Sequence, residues 1–326
     1  MEVKHSYKCF RLGNITCLAF LFLTAFSACA GGGECEGTGW ARAASMSNAR
    51  SGVRIAVLNG RIYAAGGYSG IGEQYEEASW TDVMEEYDPV ADEWASKADL
   101  PEPLYQFAFA AANGKLYSIN VNTYEYDPIG NSWTPKLDPP DEIVTGAAIG
   151  DTIYAFSIQD DLYSYNTVSN TWSNILAPVD EFYDGGWPVS SAVLDGRFYV
   201  LGADFAHPWD PLRRLFEYDP GENEWTEKAT AIAPLVFRGL AASSTRLYAV
   251  GGQVGGKSAI DSEVGISQWV EAFFAEGNSW SGFACLGAAR SDPGVAWYNG
   301  KLYAIGGGRG PESKNATNSV LVTTAP

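Results

Sequence analysis

Two arginines stand in matching phrases, Arg50 in "ARSGV" (49–53) and Arg290 in "ARSDP" (289–293), each ten residues before a glycine, Gly60 and Gly300. A guanidinium can hold a carboxylate through two parallel hydrogen bonds. Set against a carboxyl group, it could also support acid–base work on a sugar hydroxyl. The shared register of Arg50 and Arg290 points to a structural duty, tying neighbouring segments together through backbone carbonyls. Arg54 and Arg238 fall on or beside short apolar stretches, and Arg238 is out of that register, so it is kept as a binding candidate. Asp180, Glu181 and Asp184 lie in one irregular run, "LAPVDEFYDGGWPV" (176–189), and Glu181 joins the candidates. Tyr68, Tyr75, Trp80, Trp187 and Trp209 sit in similar irregular stretches, where an exposed ring could stack on a ligand.

Several chemistries are excluded early. The chain has two histidines, His5 and His207, so no histidine cluster can hold a metal. His207, in "FAHPW", reads as an ordinary loop residue. No C-x-x-C pair occurs, no EF-hand spacing appears, and no Ser-His-Asp set can be assembled around His207. Cys285 has no evident base beside it. The glycine pairs in "NGRIYAAGGY" (59–68) and "NGKLYAIGGG" (299–308) are not a phosphate cradle, because no helix pattern follows either of them. No cofactor is implied.

Those glycine pairs belong to a repeat. An apolar residue followed by Tyr recurs at Ile62-Tyr63, Leu116-Tyr117, Ile153-Tyr154, Phe198-Tyr199, Leu247-Tyr248 and Leu302-Tyr303. Glycine stands two residues earlier in four of them and three earlier in the third, as Gly150, and Thr245 takes its place in the fifth. A second phrase alternates with the first. An aromatic stands seven residues before a tryptophan in Tyr87/Trp94, Tyr126/Trp133, Tyr165/Trp172, Tyr218/Trp225 and Phe273/Trp280. Asp, Pro, Gly and Asn fill the interval, which is turn chemistry. Each unit therefore reads as four strands, a to d, with a tight "NG" turn between a and b and a second tight turn between c and d.

This pattern resembles the kelch repeat, whose units are four-stranded blades of a β-propeller. The resemblance covers residues 40–326 and implies an all-β, six-bladed kelch-like propeller. The last unit ends without a tryptophan. "GWARAASM" (39–46) resembles "EWASKADL" (93–100), so Trp40 is expected to start strand d of the last blade. The N-terminal strand would then close the ring against the C-terminal blade. On this reading the tyrosines and tryptophans are inter-blade core. Kelch propellers include copper radical oxidases resembling galactose oxidase, whose two histidine ligands this chain lacks. Others resemble sialic acid mutarotases, which need an acid, a base and a cation for the substrate carboxylate.

The N-terminus is set apart from the propeller. Lys4, Lys8 and Arg11 precede the apolar run "TCLAFLFLTAFSA" (16–28), too short to cross a bilayer comfortably. "FSACAGGG" is similar to a lipoprotein box with Cys29 as the acylated residue, although Phe26 departs from its usual aliphatic residue. The same stretch also fits an ordinary cleaved leader. The expected division is a signal peptide over 1–28, a Gly-rich tether over 29–38 and the propeller over 39–326. It places the protein at a bacterial cell envelope, held to the membrane through a lipid anchor only. Residues 1–28 carry three Lys/Arg and one Asp/Glu, so their loss takes the formal charge from −18 to −20. Such a surface repels nucleic acid. "NAT" (315–317) is incidental in that setting.

The irregular stretches fall mainly between strands b and c, in blades one, four, five and six, and between d and a before blade four. Both kinds of connection emerge on one face of a propeller. Variable loops on a rigid scaffold are where binding concentrates. The expected function is a non-enzymatic binding module for a glycan or protein, using that face through Tyr68, Trp80, Glu181, Trp187, Trp209 and Arg238. The alternative is a mutarotase- or isomerase-like enzyme with carboxylates and arginines in the funnel.

Overall fold

The computed structural model describes residues 39–69, 79–159, 161–175, 188–202, 214–233, 235–236, 238–254, 265–310 and 315–324. The chain enters through β1 (Trp40–Ala43). Blade one follows as β2 (Arg54–Leu58), β3 (Arg61–Ala65), β4 (Met84–Asp88) and β5 (Glu93–Ser96). Blade two is β6 (Ala108–Ala112), β7 (Lys115–Ile119), β8 (Thr123–Asp127) and β9 (Ser132–Pro135). Blade three is β10 (Ile143–Ile149), β11 (Thr152–Ser157), β12 (Leu162–Asn166) and β13 (Thr171–Ile175). Blade four is β14 (Pro188–Leu194), β15 (Arg197–Gly202), β16 (Leu215–Asp219) and β17 (Glu224–Lys228). A two-residue strand, β18 (Leu235–Val236), precedes blade five and pairs with β21 (Gln253–Val254). Blade five proper is β19 (Gly239–Ala242), β20 (Arg246–Val250), β22 (Trp269–Phe274) and β23 (Ser279–Cys285). Blade six is β24 (Gly294–Tyr298), β25 (Lys301–Ile305) and β26 (Val320–Thr324), completed by β1.

Each blade is an antiparallel meander in a-b-c-d order. The innermost strands follow one another in a circle, β2, β6, β10, β14, β19 and β24, and β24 returns to β2. The protein is thus an all-β, six-bladed propeller. Closure runs as expected from the sequence: Trp40 pairs with Thr323, Ala41 with Val322, Arg42 with Leu321 and Ala43 with Val320. That pairing covers an edge that the last blade would otherwise expose.

The turns explain why the repeat folds locally. Asn59-Gly60, Asn113-Gly114, Asp195-Gly196 and Asn299-Gly300 all have positive φ at both residues, the two-residue hairpin that matches strand twist. In the c–d turns the first Asp or Asn accepts a backbone N–H two residues on, as Asp88 does from Val90 at 2.8 Å and Asp127 from Ile129 at 2.9 Å.

The aromatic–tryptophan spacing has a double cause. The two rings are cross-strand partners, with centroids 5.0 Å apart for Tyr87 and Trp94 and 4.9 Å for Tyr165 and Trp172. The turn residue between them, Asp92, Asn131, Asn170, Asn223 or Asn278, has positive φ, and in blades one, two, three and five it grips the preceding blade. Asp92 accepts the Ala44 N–H at 2.7 Å while Trp94 Nε1 donates to the Ala44 carbonyl at 2.8 Å. The same two-point grip recurs from Asn131 and Trp133 onto Ala98, from Asn170 and Trp172 onto Leu137, and from Asn278 and Trp280 onto Ala229. Trp40 departs from the pattern, because its buried Nε1 has no partner. The strand it faces, β23, carries a register shift near Phe283, one position before the carbonyl that the repeat would present to Trp40.

Candidate functional site

Two buried arginines, Arg50 and Arg290, bind carbonyls of the glycine pairs, and a third, Arg238, packs beside one. Arg50 donates through Nη1 to the carbonyls of Gly66 (2.9 Å) and Val83 (2.7 Å), and through Nη2 to Glu85 (2.7 Å). Its own carbonyl accepts the Gly307 N–H of blade six at 2.8 Å. A Cβ on Gly306 would collide with that carbonyl, so the glycine is required by close approach. Arg290 repeats the arrangement on Gly306 (2.6 Å) and Ser319 (2.7 Å). The structural duty expected for Arg50 and Arg290 is what the geometry shows. Arg238 performs the same duty from a shifted position. It pairs with Glu271 at 2.9 Å and donates to Ala249 at 3.1 Å. Ala249 and Glu271 are cross-strand partners, as Ala64 and Glu85 are in blade one. Burial lowers the pKa of Arg50 and of Arg238, opposed in each case by the paired glutamate.

The central channel opens on the face where the innermost strands begin. Arg54, Phe107, Thr145, Ser190, Gly239 and Asp292, one from each blade, line a cavity of about 70 Å³ there. Thr145 and Ser191 share a hydrogen bond of 2.8 Å, and the buried Ser190 hydroxyl has no partner. Asp292 is the distinctive member. It has a φ of +48°, yet unlike the other Asp residues with positive φ it lies in no hairpin turn. Gly52 occupies the matching place in blade one, also with positive φ, and its N–H donates to the Asp292 carbonyl at 2.8 Å. A Cβ on Gly52 would overlap the Tyr105 ring and crowd the Asp292 carboxyl. The Tyr105 hydroxyl donates to Asp292 Oδ2 at 2.7 Å. Burial raises the Asp292 pKa, against the opposing pulls of Arg54 and Tyr105.

The sign of that shift gives a test. A carboxyl whose folded pKa exceeds its unfolded value stabilises the fold less as pH rises through the interval between them. Asp292→Asn keeps a side chain that tolerates positive φ and can still accept from Tyr105. It is expected to be at least as stable as the parent at neutral pH and to flatten the decline in stability above the ordinary Asp range. Urea melts of both proteins from pH 4 to 8 check this, and an Asn variant that loses stability equally at every pH would contradict it.

The residues singled out from the sequence are distributed unevenly. Tyr68 is not on a rim: it is fully buried, because the chain turns back at Gly67 (φ +105°) and bridges Tyr68 to both Ser51 and Trp80. Arg238 is buried against Glu271 and touches the channel only as part of its wall. Both are therefore corrected from ligand contacts to packing residues. Trp80 is half-buried, its ring tilted on Tyr105 at 6.3 Å, so Trp80, Tyr105 and Asp292 form a continuous path to the channel mouth. Glu181, Trp187, Trp209, Tyr75, His207, Asp180, Asp184 and Cys29 lie outside the described residues. Among the described residues no group of His, Cys, Asp and Glu side chains is placed to hold a metal ion. Asp292 and Tyr105 were missed. The available signal was the replacement of Gly52 in "ARSGV" by an aspartate in "ARSDP".

Fold, repeat and buried arginine ties define the class: the chain is a six-bladed kelch-like β-propeller. The kelch motif matches residues 49–101, which contain blade one. Human Kelch-like protein 35 is 34% identical over 80 residues, 24% of this chain and 12% of that protein. Mouse Kelch-like protein 9 is 37% identical over 65 residues, 20% of this chain and 10% of that protein. The likeness to these curated relatives therefore spans only a small part of their lengths. The solved structure of YjhT superposes with a TM-score of 0.67 and 17% identity over 86% of this chain and 96% of its own, a likeness of fold.

Proposed function

We propose that this propeller is a binding module that holds a protein or glycan on the face carrying the long b–c connections. The observation that carries the reading is the contrast between the two ends of the blades. One end consists of short turns whose side chains are spent on gripping the preceding blade. The other has the longer connections and a channel mouth of about 70 Å³, well below the roughly 300–1,000 Å³ of small-molecule pockets. A ligand of sugar size or larger would engage this face from outside. Kelch propellers generally serve as interaction modules, which agrees with this reading. An anchor at Cys29 would hold the propeller at the envelope.

A second reading, a mutarotase-like enzyme, is favoured by Asp292, Tyr105 and Arg54 meeting at the channel mouth. One experiment separates them. Residues 36–326 are applied to a glycan array and used to capture partners from envelope extract, and sugar anomer exchange is followed by NMR in parallel. The module reading expects saturable capture that survives Asp292→Asn, with no acceleration of exchange. Acceleration abolished by Asp292→Asn would replace it with the enzyme.

A further inference from the structure

Blade six inverts the charge pattern of blades one and five. In those blades the buried arginine meets a glutamate on strand c, Glu85 or Glu271. Each glutamate also accepts a backbone N–H, from Ser47 at 2.7 Å and from Ala233 at 2.6 Å. The position in blade six that corresponds to Glu85 is Leu321, as the pairing of Ala304 with Leu321 and of Ala64 with Glu85 shows. The residue across from Glu85 on strand d is Ser96, and across from Glu271 it is Gly282. Across from Leu321 it is Arg42. Arg290 therefore has no glutamate at the matching strand-c position, and a second arginine stands where blades one and five are neutral.

A third arginine joins them. Arg309 reaches Ser319 Oγ at 3.5 Å, the same hydroxyl that accepts from Arg290 Nη2 at 2.9 Å and shares a bond of 2.9 Å with Thr317. Among the described residues none of Arg42, Arg290 and Arg309 forms an ion pair, and the buried Nε of Arg290 has no partner. Arg290 is 1% exposed, whereas Arg42 and Arg309 are exposed. Burial, with Arg309 and Arg42 adding repulsion, pushes the Arg290 pKa down to about 10. A buried charge stripped of its partner is costly. One buried and two exposed guanidinium groups together, in a chain of net charge −18, form a local field that attracts an anion.

We infer that Arg42, Arg309, Ser319 and the underlying Arg290 form a carboxylate-binding site on blade six. The carboxylate takes charge-assisted hydrogen bonds from the two exposed guanidinium groups and supplies the compensation that Glu85 and Glu271 give elsewhere. Its source is either a small free acid or an acidic peptide segment. The site does not depend on what the rest of the long-loop face binds.

The test replaces chloride stepwise by acetate at constant ionic strength, with hexaglutamate as the second probe, and follows the melting temperature. Ligand binding to the folded state alone raises it saturably. The parent protein is expected to respond with half-saturation in the millimolar range or below. Arg42→Gln with Arg309→Gln, both surface changes, should remove the response. Leu321→Glu restores the glutamate of blade one and should remove it too. A response to acetate identifies a small acid as sufficient, and a response to hexaglutamate alone identifies an acidic segment. Equal responses in the parent and the Arg42/Arg309 variant, or none to either probe, would overturn the site. The Arg side-chain Nε–H signals of the parent provide a readout should Leu321→Glu fail to fold.

Discussion

Removing residues 39–46 is expected to leave a chain that aggregates or melts far below the parent. The deletion strips β1 from β26 and uncovers a full strand edge. It withdraws Trp40 from the cluster formed with Val270, Leu302 and Leu321, and Met46 from the cluster with Ile62, Ile305 and Val320. It also removes Ala44, the residue that Asp92 and Trp94 of blade one both grip, and the Met46 N–H and carbonyl that bind Asn318 at 2.9 and 2.8 Å. Burial of one large side chain contributes about 1.5–3 kcal/mol, and a domain is stable by only about 5–15 kcal/mol. Loss of two such side chains with their strand consumes much of that margin. Trp40→Ala alone should cost about 2–3 kcal/mol, less than the roughly 3–5 kcal/mol of a fully buried ring, because Trp40 is half-buried and its Nε1 makes no bond. Calorimetry of the deletion and the point variant decides the matter. A deletion that melts with the parent would mean that the ring is not held by this strand.

The second large effect belongs to the buried pair in blade one. Glu85→Ala is expected to destabilise by about 3–5 kcal/mol, since it leaves Arg50 charged and 1% exposed without its carboxylate and orphans the Ser47 N–H. Arg50→Met with Glu85→Leu should recover part of that loss, because an apolar pair of similar volume avoids the desolvation cost of two buried ions. Recovery stays incomplete: the carbonyls of Gly66 and Val83 would lose the Arg50 bonds that join them. Denaturant melts of the single and double variants measure both steps. A Glu85→Ala protein within about 1 kcal/mol of the parent would show that the ion pair is dispensable to the blade.

Much of this architecture was legible in the residues because the propeller is a local fold repeated. The Asn-Gly turns, the apolar-Tyr strands and the seven-residue interval from Tyr87 to Trp94 each encode contacts within one hairpin, and a hairpin's register follows from its turn. Even the closure was visible, since Trp40 carries the signature of a strand d with no c before it. The grip of Asp92 on Ala44 was not. It joins residues 48 apart, through a turn conformation that the sequence shows only as another Asp.

The candidate sites divide along the same line. Arg50 and Arg290 declared themselves by matching register, whereas Arg238 looked functional because it broke register, and only the sheet pairing revealed that it reaches the same place beside Glu271. Tyr68 looked exposed because it stands in an irregular stretch, but the backbone reversal at Gly67 carries it inward. Tyr105 and Asp292 are 187 residues apart and become neighbours because the ring closes blade six onto blade one. The sequence by itself determined the blades, their number and the way the ring closes, since those depend on periodic, short-range pairing. Tertiary structure alone decided which ionisable groups meet and which are left without a counterion, because burial and charge compensation at the seams depend on residues that only the closed ring brings together.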